Sequence, residues 1–476
     1  MGHHDLAKEL FSYHVDLDKR VRRDHPLRKI AEKVNFAFVR QEVKGFYGRN
    51  GHESVDPEII LKMMFLLFYD NVPSERELMK IIAERLDYMW FLGYGLDDQI
   101  PDHSVLSKAR KRWGQEIFEG FFIRTVAQCV EAGLVDGQKI HVDSSLIDAN
   151  ASKDSVVKNC PQLISALKQA YQAQESKLED TSTPEGYEAV NDRMISLSDP
   201  DAALTRKSGD SARPRYHHHR VLDNAQGVIT AVETTPGSIA ENKKLLKVVQ
   251  QHERNTGLAT QTVVADHKYG TAENYVAGQQ AGWTTHMGDV LGKQLPKGQQ
   301  EDIFRESAFT YNAQQDTYTC PAGQELKPRR VHWQKRTWEY SLPRKVCAAC
   351  PLLHQCTRAK AYGRTLHRHE HQELLDRARY QAHSPQARKD RQCRQVIMEQ
   401  SFADAANNHG FKRSRWRRLW RQQIQDHLIA AIQNIRILLS RGAKNGSAGA
   451  AGLKRMMVEA VLRVVFASGG FSPHNI

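Results

Sequence analysis

The chain holds 476 residues, long enough for several domains with large cores, and carries 68 Lys and Arg against 55 Asp and Glu, a net charge of +13 that favours a polyanionic partner. The first twenty residues, MGHHDLAKELFSYHVDLDKR, are polar throughout and do not read as a secretory signal. The strongest apolar run, IILKMMFLLFY at 59 to 69, includes Lys62 and is about half the length needed to span a bilayer, so a soluble cytoplasmic protein without membrane association is expected, and its seven cysteines argue against a disulfide framework.

Residues 1 to 135 read as helical. PEIILKMMFLLFY, SERELMKIIAERLDYMWFLG and DHSVLSKARKRWGQEIFEGFFIRTVAQCVEAG carry apolar residues at helical spacing with turn residues between them. Ser74 and Glu77 have the pattern of a capping box, and Asp102 an incomplete one. Lys108, Arg110, Lys111 and Arg112 make one helix basic, which suits a DNA-binding module or an ordinary bundle equally well.

After Gly137 the pattern changes to strands. KIHVDSSLIDAN alternates Ile140, Val142, Ser144 and Leu146, with Asp143 on the other face. Residues 150 to 210 are polar and show no motif, and RYHHHRVLDNAQGVITAVETTPGS, 215 to 238, predicts a hairpin turning at Asn224 to Gly227. In LATQTVVADHKYGTAENY, 258 to 275, an apolar strand over Thr262 to Ala265 ends on Asp266, turns through Tyr269 and Gly270, and enters a helix capped by Thr271. Ligands of α/β sheets gather beyond the carboxyl ends of the strands, which is where Asp266 stands, although Asp also caps ordinary turns.

Between 320 and 380 the chain has 13 Lys and Arg against 5 acids. The same stretch holds Cys320, Cys347, Cys350 and Cys356, spaced C-x26-C-x2-C-x5-C. Four thiolates on short loops suit a structural tetrahedral Zn²⁺, whereas a redox pair lacks its thioredoxin-like surroundings. His354 or His369 could replace one ligand, and Cys129, Cys160 and Cys393 read as small apolar residues. RQVIMEQSFADAANNHGFKRSRWRRLW then predicts a helix through Val396, Ile397 and Phe402 that stops near Gly410. Glu399 lies inside it, and a helical Glu taken alone is a solvated surface residue. FKRSRWRRLWR, 411 to 421, has six basic residues, Lys412, Arg413, Arg415, Arg417, Arg418 and Arg421, interleaved with Trp416 and Trp420. That composition suits phosphate binding, or else a solvated helix face. GAKNGSAGAAG, 442 to 452, reads as a flexible linker before a short apolar tail.

Asp143 in HVDSSLIDANAS, Asp266 in VVADHKYGTAENY and Glu399 in IMEQSFADAANNHGFKRSRWRRL resemble the three acidic blocks of the DDE transposases of bacterial insertion sequences. The resemblance extends through DYMWFLG and PDHSVLSKARKRW and through the cysteine-bearing segment, over roughly residues 45 to 440. It implies a multidomain α/β chain: a helical DNA-binding module at 1–135 using Lys108, Lys111 and Arg112, an RNase H-like mixed-sheet core begun at 136–300, a basic four-cysteine insertion at 301–380, core helices carrying the Glu at 381–441, and a tail at 442–476.

It further implies binding of terminal inverted repeats, then metal-dependent strand cleavage and strand transfer. Asp143, Asp266 and Glu399 would hold two Mg²⁺ or Mn²⁺ ions roughly 3.5 to 4 Å apart, Asp143 bridging both. The partner would be double-stranded DNA, as transposon ends and target, bound by a homodimer in a nucleoid-associated cytoplasmic setting. The alternative is a catalytically inactive transposase-derived DNA-binding protein. Where the wider family carries Tyr and Arg before the Glu and Lys after it, this sequence holds Gln392, Gln395 and Ala406, with Arg391, Arg394 and Lys412 nearby to supply positive charge. Asp148, Asp223 and Glu241 are neighbouring acids that read as solvent or turn residues.

Overall fold

Apolar spacing in the N-terminal segment becomes a series of helices: α1 (Leu17–Arg20), α2 (Pro26–Lys33), α3 (Phe38–Glu42), α4 (Pro57–Tyr69), α5 (Glu75–Glu84), α6 (Leu86–Leu92), α7 (Ser104–Trp113) and α8 (Glu116–Glu131). The computed structural model describes residues 15–48, 54–158, 194–206, 209–288, 303–359 and 362–441, with a few positions between 162 and 170; Cys160 and the tail at 442–476 lie outside the described residues. Local chemistry sets the helix ends. Pro57 occupies the first turn of α4 behind Asp56, whose carboxylate accepts from Glu58 N at 2.9 Å. Ser74 Oγ accepts from Glu77 N at 3.1 Å and starts α5. The long helical runs are interrupted where the backbone turns left-handed, at Gly93 (φ 83°) and Gly114 (φ 70°). α4 is buried over most of its circumference, and its one cation, Lys62, is neutralised by Glu58 at 2.8 Å.

The chain forms two units, Met1–Val264 with Gln392–Ile476, and Ala265–Arg391. In the first, β1 (Lys139–Asp148) pairs antiparallel with β5 (Arg213–Asp223). β5 is long enough for its other edge to carry both β4 (Ala203–Thr205) and β6 (Ile229–Pro236), while β7 (Thr262–Ala265) lies beside β1. The β5–β6 hairpin turns at Gly227 (φ 72°), as its sequence predicts. A two-stranded ribbon, β2 (Val156–Lys158) with β3 (Met194–Ser196), falls in the segment without a motif. α9 (Leu245–Thr256) packs on β6, and α15 (Leu419–Arg441) packs on α8, β6 and α4, so the helices and the sheet share one core.

In the second unit, Thr271 Oγ accepts from Asn274 N at 3.4 Å to start α10 (Ala272–Gln280), followed by β8 (Thr284–His286). A five-stranded antiparallel sheet has the order β13-β12-β11-β10-β9, with β9 Thr310–Asn312, β10 Thr317–Thr319, β11 Glu325–His332, β12 Thr337–Ser341 and β13 Leu366–His369. Phe309, Leu326, Tyr340 and Leu366 form its small core. The short helices α11 (Arg344–Ala348) and α12 (Leu353–Cys356) and the longer α13 (Gln372–Ala382) complete this unit. α14 (Pro385–His409) carries the chain back into the first unit.

Candidate active site

Asp143 lies directly opposite Arg220 in the β1–β5 ladder, so their side chains share a sheet face. α14 is fastened to that face at two points. Arg394 Nη1 donates to Asp143 Oδ2 at 2.6 Å, and two turns on, Ser401 Oγ accepts from Arg220 Nη1 at 2.7 Å. Arg394, Met398, Ser401 and Ala405 recur at helical spacing as the inward stripe of α14.

Arg220 is fully buried and is held by polar and aromatic partners together. Its Nη1 also donates to Gln433 Oε1 at 2.9 Å and its Nε to His218 Nε2 at 3.1 Å, while the Phe402 and Phe411 rings lie 4.8 and 5.3 Å from the guanidinium. Burial pulls its pKa down to about 10, which leaves it charged at neutral pH. Burial also drives His218 down to about 4. The neutral ring therefore accepts from Arg220 through Nε2 and turns Nδ1–H toward Asp426 Oδ2, 3.0 Å away. Thr234 Oγ1 and Gln422 Nε2 donate to the same Asp426 at 2.6 and 2.8 Å. The histidine run of β5 thus supplies a buried polar bolt between the sheet, α14 and α15.

Glu399 sits beside that inward stripe but is itself exposed, and Gln395 Nε2 donates to it at 3.1 Å. Asp266 stands in the second unit at the C-terminal end of β7, its side chain 35% exposed and 2.9 Å from His267 Nδ1. Of the neighbouring acids, Asp148 accepts from Arg215 Nε at 2.7 Å, and Asp223 caps a turn through Ala225 N and Gly137 N, both at 2.9 Å. Glu241 accepts from Ser144 Oγ at 2.5 Å. The carboxylate donors suit a hard divalent cation by their chemistry. As the side chains stand, however, no three His, Cys, Asp or Glu residues among those described form a metal-holding group, and Asp143 is paired with Arg394.

On α7, Lys108 is exposed and Lys111 and Arg112 are half-buried, with the Arg112 guanidinium 4.8 Å from the Tyr47 ring. Arg110 is buried against Glu75 and stacks on Trp416 at 3.9 Å. The 411 to 418 segment is an irregular loop rather than a helix, and several of its cations are engaged within the chain. Arg415 donates to Val72 O and, at 2.7 Å, to Asn71 Oδ1, and burial pulls its pKa down to about 10. Arg417 Nε donates to Asn150 O at 3.1 Å, and Lys412 Nζ to Ser145 Oγ at 2.6 Å. Arg421 stacks on Trp420 at 4.6 Å. Arg418 is buried, with Nε donating to Asp201 Oδ2 at 3.0 Å and its backbone N to Asp199 Oδ1 at 3.0 Å. Lys412, Arg413 and Arg417 are the exposed members of the cluster.

Asp199 and Asp201, both buried, come from the polar stretch that shows no sequence motif. The sequence signal for them is a pair of acids within the run SDPDAALT, flanked by apolar residues, ahead of a strand.

Cys320, Cys347, Cys350 and Cys356 line one pocket of about 40 Å³ with Phe309, Leu326 and Leu342. Burial, and then the neighbouring Cys356, Cys350 and Cys320, push the Cys347 thiol up. Gly363 closes the pocket so tightly that a Cβ there would strike Cys347 Sγ. The donor set is that of a thiolate zinc site, but the sulfurs do not converge into a metal-holding arrangement as they stand. His354 and His369 are not among the residues lining the pocket. Cys129 is buried as expected, whereas Cys393, on the outer side of α14, is exposed.

Two family models match the chain, both described as transposase domains. Residues 15–112 match a transposase domain (DUF772) and residues 319–439 a transposase DDE domain. The first includes Lys108, Lys111 and Arg112; the second includes the four clustered cysteines and Glu399; Asp143 and Asp266 lie between the two matches. No curated protein matches the chain. Among solved structures, a piggyBac transposase synaptic complex with hairpin DNA aligns over 94% of this chain and 80% of its own at 9% identity, with a TM-score of 0.32, too low a likeness to support any further step. No helix among the described residues is long and apolar enough to cross a membrane.

Proposed function

We propose that this chain, which belongs to the DDE-type transposases by its two domain matches, binds the terminal inverted repeats of an insertion sequence and performs metal-dependent DNA strand cleavage and strand transfer through Asp143, Asp266 and Glu399. The observation that carries the reading is the double fastening of α14 across β1 and β5, because Arg394 and Arg220 tie the helix of Glu399 to the strand of Asp143. The strand order β6-β5-β1-β7, with Asp143 on β1, supports an RNase H-like core.

A divalent metal supplies charge neutralisation at the phosphate and an activated oxygen nucleophile. The chain's own acids Asp143, Asp266 and Glu399 would hold it, and Arg394, which pairs with Asp143, would offer a guanidinium to a phosphate oxygen. The four-thiol pocket is read as a structural Zn²⁺ site that holds α11 and α12 to the small sheet. The exposed cations of α7 and the 411 to 418 loop are read as contacts to double-stranded DNA, bound by a homodimer that pairs two ends.

The test is nicking and joining of a supercoiled plasmid carrying the cognate ends, with Mg²⁺ or Mn²⁺. Cleavage that is lost in Asp143→Asn supports the reading. Wild-type protein that binds the ends yet never cuts them would instead identify a DNA-binding derivative without catalysis.

A further inference from the structure

We propose that the β11–β12 hairpin is a DNA-docking element, its cations gripping the phosphate backbone and Trp333 at its tip stacking on an unpaired base. The segment from Lys327 to Arg336, KPRRVHWQKR, holds five Lys and Arg and no acid. Lys327, Arg329, Arg330 and Lys335 are exposed, and none of their side chains has an ion pair or hydrogen bond among the described residues. Glu339, which faces Arg330 across the ladder, is bonded to His332 Nε2 at 3.2 Å instead. Trp333 is 80% exposed.

The tip is built to hold that indole outward. Arg336 closes the turn in the left-handed region at φ 49°, its carbonyl accepts from Glu370 N at 3.1 Å, and its guanidinium pairs with the Glu370 carboxylate. β12 is flanked by β11 and β13, so the outer part of the hairpin rests on an ordered ladder. The register shifts between Pro328 and Arg330, and both Arg329 and Arg330 face solvent there.

An exposed edge protected against aggregation would also carry Lys, Pro and a bulge, since β10 covers β11 only at Glu325 and Leu326. That accounts for Lys327 and Pro328. It does not account for a large aromatic residue at the tip, which adds the apolar exposure such an edge is arranged to avoid. Unpaired cations beside an outward indole are the two components of a single-strand site: backbone charge neutralisation and a face on which a base stacks. A fully paired duplex offers no free base face, so the element fits a frayed, overhanging or gapped end. The ladder rises roughly 3.3 Å per residue, so the five steps from Lys327 to His332 run roughly 16 Å, enough to follow two or three nucleotides.

The choice of DNA as ligand rests on the transposase reading, but the test measures binding without cleavage, so either idea can fail alone. Full-length protein is titrated, with no divalent metal added, against a blunt duplex and the same duplex with a single-stranded 3′ extension, at several salt concentrations. Trp333→Ala should weaken binding to the extended DNA by about tenfold while the blunt duplex changes little, and Trp333→Phe should restore most of the loss. Arg329→Ala with Arg330→Ala should weaken both DNAs and flatten the log-log salt slope by roughly two. Unchanged affinity in Trp333→Ala, or an equal loss on both DNAs, would overturn the proposal. So would displacement of the extended DNA by polyglutamate at concentrations as low as competitor DNA requires, which would assign the patch to an acidic protein.

Discussion

Asp199→Asn should stabilise the protein at neutral and alkaline pH and not at acid pH. Asp199 is fully buried; its Oδ1 accepts from Tyr216 Oη at 2.7 Å and from Arg418 N at 3.0 Å, while Oδ2 is buried with no partner among the described residues. Burial, and then the charge of Asp201, raise its pKa to about 7 despite those donors. A carboxyl raised on folding keeps its proton in the native state at pH values where the unfolded chain has released it, so stability falls as pH climbs from about 4 to 7 and the full penalty is present above 7. From 3.8 to about 7, at ~1.36 kcal/mol per pH unit, the penalty is about 4 kcal/mol. Asn keeps the Oδ1 acceptor and puts an uncharged amide where Oδ2 was, at a cost of about 1–3 kcal/mol for its unpaired N–H groups. The net gain above pH 7 is then roughly 1–3 kcal/mol, turning to a loss of up to roughly 2 kcal/mol near pH 4.5. Thermal midpoints of wild type and variant at pH 4.5, 6 and 8 should cross. Parallel curves with a constant offset would refute a protonated Asp199.

Four further outcomes follow from the same geometry. Asp143→Asn, Asp266→Asn and Glu399→Gln should each abolish plasmid cleavage while end binding stays within about threefold, and cleavage by Glu399→Gln would move the third acid elsewhere. Arg220→Ala strands Ser401, Gln433 and His218 in the core and should destabilise the chain by roughly 3 kcal/mol or more, read from its thermal midpoint. Cys350→Ser should lower bound zinc in elemental analysis and expose α11 and α12 to proteolysis; wild type purified without zinc would end that assignment. Arg413→Ala with Arg417→Ala should weaken binding to cognate and unrelated duplexes alike and flatten the salt slope by roughly two, whereas Arg418→Ala should first cost stability because it frees buried Asp201.

What was legible in the sequence is what local periodicity and turn chemistry encode. The strand under Asp143, the hairpin at Gly227, the strand ending at Asp266 and the helix ending before Gly410 each stand where their patterns predict. Tertiary partnership was not legible. FKRSRWRRLWR looks like one positive surface, because charge in a sequence says nothing of where a carboxylate or carbonyl will be brought. In the fold, Arg415 is spent on Asn71 and Val72, and Arg418 on Asp201, residues more than two hundred positions away. The HHHR run behaves in the reverse manner. Its sequence predicts only a strand of a hairpin, yet His218 is buried neutral between Arg220 and Asp426, which lies on a helix with no sequence link to β5. Both cases have the same physical origin: a buried cation needs its counter-charge or acceptors close by, but it needs them in space and not in sequence. The cations to suspect of reaching a partner are therefore those whose side chains the fold leaves unpaired, which among the described residues include Lys327, Arg329, Arg330 and Lys335 of the β11–β12 hairpin.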